Sequence, residues 1–191
     1  MESDKRQLVI ITAPSGSGKT SIVRYLLQHF PNLEFSISAC TRQPRNGEEH
    51  GVNYYFLSLD EFTRKIARHE FAEFEMVYEG KYYGTLKSEL ERIWNKGHIP
   101  LIDIDVQGAL RLKKHYGHQA LTLFIQAPDL VILEQRLINR NTETPESLRE
   151  RIEKASHEMS FSKYFDHIVV NDILEEACSN SSELIRSFIQ E

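Results

Sequence analysis

The chain has 191 residues, of which 40% are hydrophobic and 27% are charged. This composition is typical of a globular domain, and the length is enough for one compact domain with one or two small insertions. The formal net charge is -5, and no long basic run interrupts the sequence. Because a protein that binds duplex nucleic acid needs a basic patch or stripe, this charge balance argues against a nucleic-acid partner.

The beginning of the chain and its cysteines indicate a protein of the cytoplasm. The first residues are polar and charged, and no apolar segment has the length of a signal-peptide core or of a membrane span. Cys40 and Cys178 fit no metal-ligand or redox spacing. We therefore expect a cytoplasmic chain with two free thiols and no membrane contact.

Short apolar runs separated by helical periodicity predict an α/β fold. Such runs suit strands that are buried on both faces, as in a parallel sheet, and they occur at residues 8–12, 99–104, 121–125 and 168–170. Apolar stripes with helical spacing lie at residues 22–30 and 86–94. Further helices are predicted after Asp129, an N-cap candidate, and at Pro145, which follows Thr144. Strands that alternate with helices imply a layered α/β sandwich.

Two segments break this pattern and are predicted to be insertions. An alternating stretch at residues 33–37 is typical of a half-exposed strand, and short aromatic strand candidates follow it at residues 54–57, 71–78 and 82–83. With a short helix near Asp60, residues 36–85 are expected to form a small mixed β unit. Residues 139–163 are helical and rich in charge. The core would then comprise residues 1–35, 86–138 and 164–191.

A glycine-rich octet between the first predicted strand and helix matches a phosphate-binding loop. It fits the P-loop spacing G-x-x-x-x-G-K-[ST], with Ala13 in place of the first glycine, a change that requires a negative φ there. Glycines let backbone N–H groups turn towards phosphate oxygens, and the following helix adds its positive dipole end. Lys19 should reach the β- and γ-phosphates, and the Thr20 hydroxyl should bind Mg²⁺. The residues expected to hold ATP are Ala13, Pro14, Ser15, Gly16, Ser17, Gly18, Lys19 and Thr20.

A P-loop alone does not separate a kinase from a regulatory GTPase. Such a GTPase should carry Asn-Lys-x-Asp, and residues 95–98 read Asn-Lys-Gly-His, without the Asp. Arg42 and Arg45, stiffened by Pro44, offer guanidinium groups that match phosphate geometry, and nearby tyrosines offer hydroxyl donors. The spacing alone leaves two interpretations open: a phosphate pocket, or a solvated basic turn beside core aromatics.

Six motifs in the same order make the chain resemble guanylate kinase over nearly its whole length. Besides the P-loop they are Thr41-Arg42-x-x-Arg45-x-Gly47-Glu48, Asn53-Tyr54-x-Phe56, Gly80-x-x-Tyr83-Gly84, the segment 101–108 and Arg140-Asn141-Thr142-Glu143-Thr144. The resemblance implies a P-loop NTPase sandwich of three layers with a parallel core sheet, a mixed β insertion that binds GMP, and a helical lid. It also implies transfer of the γ-phosphoryl group from ATP to GMP, with Mg²⁺ as a cofactor.

The same resemblance implies which residues bind GMP. The phosphate of GMP would be held by Arg42, Arg45, Tyr54 and Tyr83. The guanine would be read by Ser38, Glu73, Thr85 and Asp105. A carboxylate suits that position because it can accept hydrogen bonds from N1–H and N2–H₂ of guanine, a donor pair that adenine lacks. Asp103, which ends an apolar run, would lie near GMP and help to place Mg²⁺ through water.

Further positions resemble the ATP side of a guanylate kinase. Arg136, Arg140 and Arg151 resemble the arginines of a lid that closes over ATP, and Asn171 resembles a residue near the adenine. The same charges would also suit a helical charge face. The groups expected to act on the transferring phosphoryl group are Lys19, Arg42, Arg140 and Arg151.

Four positions depart from the family pattern: Ala13, Ala39, Cys40 and Phe74. We expect these departures to affect the affinity for GMP rather than the reaction class.

Two alternative functions remain open. One is a related P-loop kinase with another acceptor, such as a ribose bisphosphate, against which Glu73 and Asp105 argue. The other is a binding module of the same fold, against which the intact P-loop argues. A pocket for base and phosphate would also be expected to accept dGMP.

Overall fold

The computed structural model describes residues 6–139 and 145–190. Its strands are β1 (Leu8–Thr12), β2 (Leu33–Phe35), β3 (Ala39–Cys40), β4 (Tyr55–Phe56), β5 (Phe71–Tyr78), β6 (Lys81–Leu86), β7 (Ile99–Asp103), β8 (Ala120–Gln126) and β9 (His167–Val170). Its α-helices are α1 (Lys19–His29), α2 (Leu59–Ala67), α3 (Lys87–Trp94), α4 (Val106–Tyr116), α5 (Leu130–Ile138), α6 (Pro145–Met159) and α7 (Leu174–Gln190). Single 3₁₀ turns lie at Gly117–Gln119 and Ser162–Tyr164.

The core sheet has five parallel strands in the order β2-β7-β1-β8-β9. Helices α1 and α7 pack on one face, against Val9 and Leu123, and helices α3 and α4 pack on the other, against Leu8 and Phe124. Apolar side chains on both faces explain why the central strands β7, β1 and β8 read as continuous apolar runs. The run at residues 168–170 was expected to be buried in the same way, but Ile168 and Val170 are exposed because β9 is an edge strand. The predicted three-layer sandwich with a parallel core sheet is therefore confirmed.

The second sheet has four strands in the order β4-β3-β6-β5. Strands β3 and β4 are parallel, whereas the pairs β3–β6 and β5–β6 are antiparallel. Helix α2 covers this sheet and stacks Phe62 on Phe71, with ring centroids 4.3 Å apart. Ser58 caps the helix in a capping box with Glu61, so α2 begins one residue before Asp60. The predicted mixed β unit is confirmed.

The core differs from the sequence-based expectation at its edges. The alternating stretch at residues 33–37 forms only a three-residue strand, β2, which pairs with β7 at the edge of the core sheet. Leu33 and Phe35 pack in the core cluster that contains Val9, whereas Glu34 between them contacts Arg92, which explains the alternating pattern. Helices α4 and α7 were not predicted, because Gly108 interrupts one pattern and a run of serines and Asn180 the other.

The predicted helix starts at Asp129 and Pro145 agree with the structure. Asp129 accepts a hydrogen bond from the Ile132 N–H at 2.7 Å and caps α5. Helix α6 begins at Pro145, while Thr144 lies outside the described residues. Cys40 and Cys178 are both buried and form no disulfide. Of the helices in the described part of the chain, none is long and apolar enough to cross a membrane.

Candidate active site

The P-loop connects β1 to α1, and two glycines shape it. Gly16 and Gly18 have φ angles of 92° and 87°, which glycine adopts without steric cost. A Cβ atom at residue 18 would also collide with the side-chain amide of Asn171. Among the described residues other than glycine, only His69 has a positive φ. The methyl group of Ala13 is therefore accommodated without strain.

The P-loop forms one wall of a cavity of about 420 Å³, which we call the donor cavity. All of residues 13–20 line it, as the P-loop spacing predicts. The other wall consists of Asp105 at the start of α4 and of three α6 side chains, Arg151, Lys154 and Glu158. Because a helix N-terminus and three cationic side chains, Lys19, Arg151 and Lys154, face the same space, the donor cavity suits a polyphosphate.

Asn171 and Arg136 lie behind the P-loop and do not belong to the described lining of the donor cavity. The buried Asn171 amide donates to the carbonyl oxygen of Ser17 at 2.7 Å. Arg136 Nη1 donates to the carbonyl oxygen of Asn171 at 2.8 Å. Both residues thus support the loop from the side of β9, and their contact with ATP stays a prediction. Arg140 lies outside the described residues.

A second cavity, of about 290 Å³, adjoins the donor cavity, and we call it the acceptor cavity. Lys19 and Asp105 line both cavities. The acceptor cavity is otherwise lined by predicted GMP residues and by Val77, Gly84 and Ile104; the predicted residues are Ser38, Tyr54, Glu73, Tyr83 and Asp103. The core sheet and the second sheet therefore bring residues that are distant in sequence to one continuous space.

Lys19 and Asp103 form an ion pair at the boundary of the two cavities. Asp103 ends β7, beside Ile11 of β1, so it lies at the carboxyl edge of the parallel sheet, where ligands of α/β folds bind. The Lys19 ammonium group also lies 3.5 Å from the carbonyl oxygen of Ile104. The pair thus places a cation and a carboxylate where the two cavities adjoin.

Glu73 on β5 is a buried carboxylate in the wall of the acceptor cavity, with 6% of its surface exposed. Thr85 on β6 donates its hydroxyl to Glu73 Oε1 at 2.9 Å, and Arg111 Nη2 on α4 lies 3.9 Å from Oε2. Burial raises the pKa of Glu73 to about 7, and the charge of Asp105 adds to this rise, while Thr85 and Arg111 oppose it. Thr85 itself is fully buried behind Glu73.

Arg42 and Arg45 do not belong to the described lining of the acceptor cavity. The Arg42 guanidinium donates to both carboxylate oxygens of Glu48, at 2.5 and 2.7 Å. Glu48 also accepts from the Arg45 N–H at 2.8 Å, and these hydrogen bonds lower the pKa of Glu48 to about 2. Arg42 lies over the Tyr54 ring, 4.7 Å from its centroid. The guanidinium is therefore held beside a residue of the cavity wall.

The sequence was compared with family models, and the model of guanylate kinase matches residues 5–188. This chain belongs to the guanylate kinase family. The family that the six motifs indicate is thereby confirmed.

Curated guanylate kinases are similar to this chain over nearly their full lengths. Those of Bacteroides fragilis and Bacteroides thetaiotaomicron are each 47% identical to it, over 188 and 183 residues. The two alignments cover 98% and 96% of this chain and 92% and 90% of the relatives. The guanylate kinase of Porphyromonas gingivalis is 45% identical over 184 residues, which are 96% of this chain and 98% of the relative.

Solved structures agree with this family assignment. The crystal structure of guanylate kinase from Anaplasma phagocytophilum matches with a TM-score of 0.74 at 28% identity, and the match covers 95% of this chain and 85% of that one. A shikimate kinase from Bacteroides thetaiotaomicron matches with a TM-score of 0.51 at 12% identity, over 94% of this chain and 98% of that one. The second match shows a shared fold alone.

Two side chains of this guanylate kinase family member line the donor cavity although the sequence did not single them out. Lys154 and Glu158 follow Arg151 at intervals of three and four residues, so all three lie on one face of α6. Burial raises the pKa of Glu158, and Lys154 opposes the rise. The spacing was a usable signal, but α6 is charged along its whole length, so the spacing alone did not indicate which face meets the P-loop.

Proposed function

We propose that this chain transfers the γ-phosphoryl group of ATP to GMP and releases ADP and GDP. The observation that carries the proposal is the shared boundary of the two cavities at Lys19 and Asp105. One cavity has a P-loop wall, and the other contains a buried carboxylate, Glu73. A triphosphate and a guanine nucleotide would thus lie end to end, with their phosphates meeting at Lys19.

On the donor side, the proposal assigns the P-loop backbone and the N-terminus of α1 to the phosphates of ATP. Lys19 contacts the β- and γ-phosphates, and Arg151 and Lys154 approach them from α6. Arg140, which lies outside the described residues, is assigned to the same task through the family resemblance. Asn171 and Arg136 hold the P-loop in shape from behind, through the hydrogen bonds described above.

On the acceptor side, the proposal assigns Tyr54 and Tyr83 to the phosphate of GMP, together with Arg42 and Arg45. The two tyrosine rings are 6.1 Å apart and line the same cavity. Arg42 stands over the Tyr54 ring, so its guanidinium needs only a local change of side-chain conformation to exchange Glu48 for a phosphate. A planar guanidinium binds phosphate oxygens in pairs, as it binds the carboxylate here.

Glu73 is assigned to the guanine base, with Ser38 and Asp105 in the same cavity and Thr85 behind it. An ionised Glu73 accepts from N1–H and N2–H₂ of guanine, which compensates for the cost of its burial. Adenine would leave the buried charge without donors, so it is rejected. These contacts do not involve the ribose 2′-hydroxyl, and we propose dGMP as a second acceptor.

The residues at the boundary of the cavities suit a magnesium ion that enters with ATP. Mg²⁺ prefers oxygen ligands and keeps several waters, with one or two protein groups beside substrate phosphates. Among the described residues, no group of three or more His, Cys, Asp or Glu side chains could hold a metal ion, which agrees with a metal bound mainly by phosphate. Thr20 would be a direct ligand and Asp103 a ligand through water. The ion supplies positive charge to the transferring group.

The chemistry requires charge neutralisation rather than a strong base. The acceptor oxygen of GMP is already anionic near neutral pH, so no proton must be removed from it. Two unit charges 4 Å apart interact by about 4 kcal/mol at an effective dielectric constant of 20. The phosphates of two nucleotides repel one another through several such interactions. Lys19 faces both cavities, and the arginines around it act on the same repulsion.

The proposal also divides the chain by task. Residues 1–35, 86–138 and 164–191 form the P-loop core, residues 36–85 bind GMP, and residues 139–163 form a lid over ATP. The second sheet and α2 fall within or next to the GMP unit, and α6 falls within the lid. We place the protein in the cytoplasm, where ATP and GMP are available.

An assay that couples ADP release to NADH oxidation tests the function. We expect magnesium-dependent ADP release with GMP, much less with AMP or UMP, and none with a ribose bisphosphate. Lys19→Ala should lower kcat by about 10²- to 10³-fold and leave GMP binding nearly intact, whereas Lys65→Ala on α2 should behave as the unmodified protein. ADP release that does not depend on GMP, or a fully active Lys19→Ala variant, would contradict the proposal.

A further inference from the structure

Glu89 on α3 is a buried carboxylate that the proposed mechanism does not use. Only 2% of its surface is exposed, and it does not belong to the described lining of either cavity. It accepts four hydrogen bonds: from the Ile37 N–H at 3.0 Å, from the Tyr55 hydroxyl at 2.8 Å, and from Arg92 Nε and Nη2 at 2.9 and 2.8 Å. Burial opposes its ionisation, but these donors lower the pKa of Glu89 below its usual value.

Two of the residues that donate hydrogen bonds to Glu89 are adjacent in sequence to residues that line the acceptor cavity. Ile37 precedes Ser38, and Tyr55 follows Tyr54, and both Ser38 and Tyr54 line the cavity. Successive side chains of an extended chain point to opposite sides. Fixing the Tyr55 side chain on Glu89 therefore directs Tyr54 towards the cavity. Fixing the Ile37 N–H holds the segment between β2 and β3, which carries Ser38.

The Glu89 group is anchored to the core sheet through Arg92. Arg92 Nη1 donates to Glu34 Oε1 on β2 at 2.5 Å. Glu34 also contacts Lys96 and His98, each at 2.9 Å. Burial opposes the ionisation of Glu34, but hydrogen bonds from Lys96, Arg92 and His98 lower the pKa of Glu34 to about 2. The carboxylates are thus charged at neutral pH, and α3 joins the edge of the core sheet to the second sheet.

We propose that Glu89 is a positioning residue for the acceptor nucleotide: it fixes the backbone at Ile37 and the side chain of Tyr55, and through them sets the positions of Ser38 and Tyr54. All four groups that form hydrogen bonds with the Glu89 carboxylate are donors. A neutral amide at this position would turn an NH₂ group towards donors and leave buried polar groups unpaired. This inference rests on the proposed function, because the effect on GMP binding depends on GMP being the acceptor.

The test compares the Michaelis constants of the two substrates in Glu89→Gln. We expect the KM for GMP to rise by about tenfold, because the loss of buried charge-assisted hydrogen bonds shifts the segments that carry Ser38 and Tyr54. The KM for ATP should stay within about twofold, because the donor cavity has no contact with this group. Tyr55→Phe removes one hydrogen bond and should raise the KM for GMP by about threefold. Glu91→Gln changes a half-buried carboxylate on the same helix that contacts Arg6 instead, so it should change neither constant.

Amide hydrogen exchange gives a readout that does not depend on catalysis. In Glu89→Gln, peptides that cover residues 36–38 and 53–57 should exchange faster than in the unmodified protein, and peptides of the P-loop should not. An unchanged KM for GMP in both folded variants would overturn the proposal, as would an equal loss in the use of both substrates. If Glu89→Gln fails to fold, Tyr55→Phe decides. An unmodified protein that is inactive with GMP would refute the function instead.

Discussion

Under the proposed function, Glu73 has to satisfy two opposing requirements in one side chain. Recognition of guanine needs the ionised form, because only a carboxylate accepts from both N1–H and N2–H₂. Burial favours the protonated form and raises the pKa of Glu73 to about 7. The single hydroxyl of Thr85, at 2.9 Å, compensates only part of this cost. In the absence of GMP, ionisation of the buried carboxyl near neutral pH therefore lowers the stability of the fold.

We predict that the KM for GMP rises as the pH falls through about 7, because a protonated Glu73 can no longer accept both donors of guanine. The KM for ATP should stay constant over the same range. Initial rates between about pH 5.5 and 8.5 measure both constants. GMP also titrates, with a second phosphate pKa of about 6, so Glu73→Gln serves as the control. A pH profile of the unmodified protein that parallels that of Glu73→Gln would contradict the prediction.

The same carboxyl should lower stability at high pH. The folded-state pKa of about 7 lies above the ordinary glutamate pKa of 4.5, so the stabilising contribution is complete below pH 4.5 and is lost as the pH rises through 7. Each pKa unit corresponds to about 1.4 kcal/mol. Glu73→Gln should therefore increase the free energy of unfolding by about 2 kcal/mol more at pH 8 than at pH 5. Urea denaturation at the two pH values measures this, and an equal gain at both would exclude the mechanism.

At the scale of single elements, α4 joins the two halves of the site. Its N-cap, Asp105, lines both cavities and accepts from the Gly108 N–H at 2.9 Å. Gly108 lies against β5, and a Cβ atom there would stand 2.9 Å from Glu73 Oε2. The glycine that weakens α4 as a helix is thus the residue that lets α4 approach Glu73, the carboxylate that we propose to bind guanine.

We predict that Gly108→Ala raises the KM for GMP by about tenfold and leaves the KM for ATP unchanged. The added methyl group meets the free end of the Glu73 side chain, which can move aside, so the carboxylate is displaced from the guanine. The higher helix propensity of alanine, worth up to about 1 kcal/mol, should keep the melting temperature close to that of the unmodified protein.

Lys114→Ala, at an exposed position of α4, is the matched control for Gly108→Ala. It should leave both Michaelis constants and the melting temperature unchanged. A wild-type KM for GMP in Gly108→Ala would show that Glu73 tolerates the methyl group.

At the scale of the whole molecule, the proposed function assigns the two nucleotides to different parts of the chain. The second sheet carries Glu73, Tyr54 and Tyr83, the core carries the P-loop, and α6 faces the P-loop across the donor cavity. Water competes with GMP for the γ-phosphoryl group. An active site that is complete only when both nucleotides are bound therefore protects ATP from hydrolysis. Glu89 and Arg92 lie where the second sheet meets the core.

We predict that the molecule becomes more compact when both nucleotides bind. Small-angle scattering should show a smaller radius of gyration with GMP and an ATP analogue whose β–γ bond cannot be cleaved. Each nucleotide alone should produce only part of the change, because we propose that residues 36–85 close over GMP and residues 139–163 over ATP. Profiles that superimpose with and without both nucleotides would contradict the closure.

Local signals in the sequence were sufficient for much of the fold and for one half of the site. The three central strands of the core sheet, β7, β1 and β8, read as apolar runs because both of their faces are covered. The P-loop was recognisable because its chemistry depends on consecutive backbone groups, and Asp129 because a cap acts within one helical turn. Glu73 could be assigned only through the family resemblance, since on a strand of ordinary composition a single glutamate indicates a polar face.

The sequence by itself determined the family, the phosphate-binding loop, the order of the core strands along the chain, and the set of candidate residues. Only the tertiary structure decided that Arg42 is held by Glu48, that Asn171 supports the P-loop from behind, and that Glu89 ties the second sheet to the core. The physical reason is the range of the interactions. Backbone conformation and capping depend on neighbours within a few residues, whereas burial, ion pairs and pKa shifts depend on groups that meet only after the chain has folded.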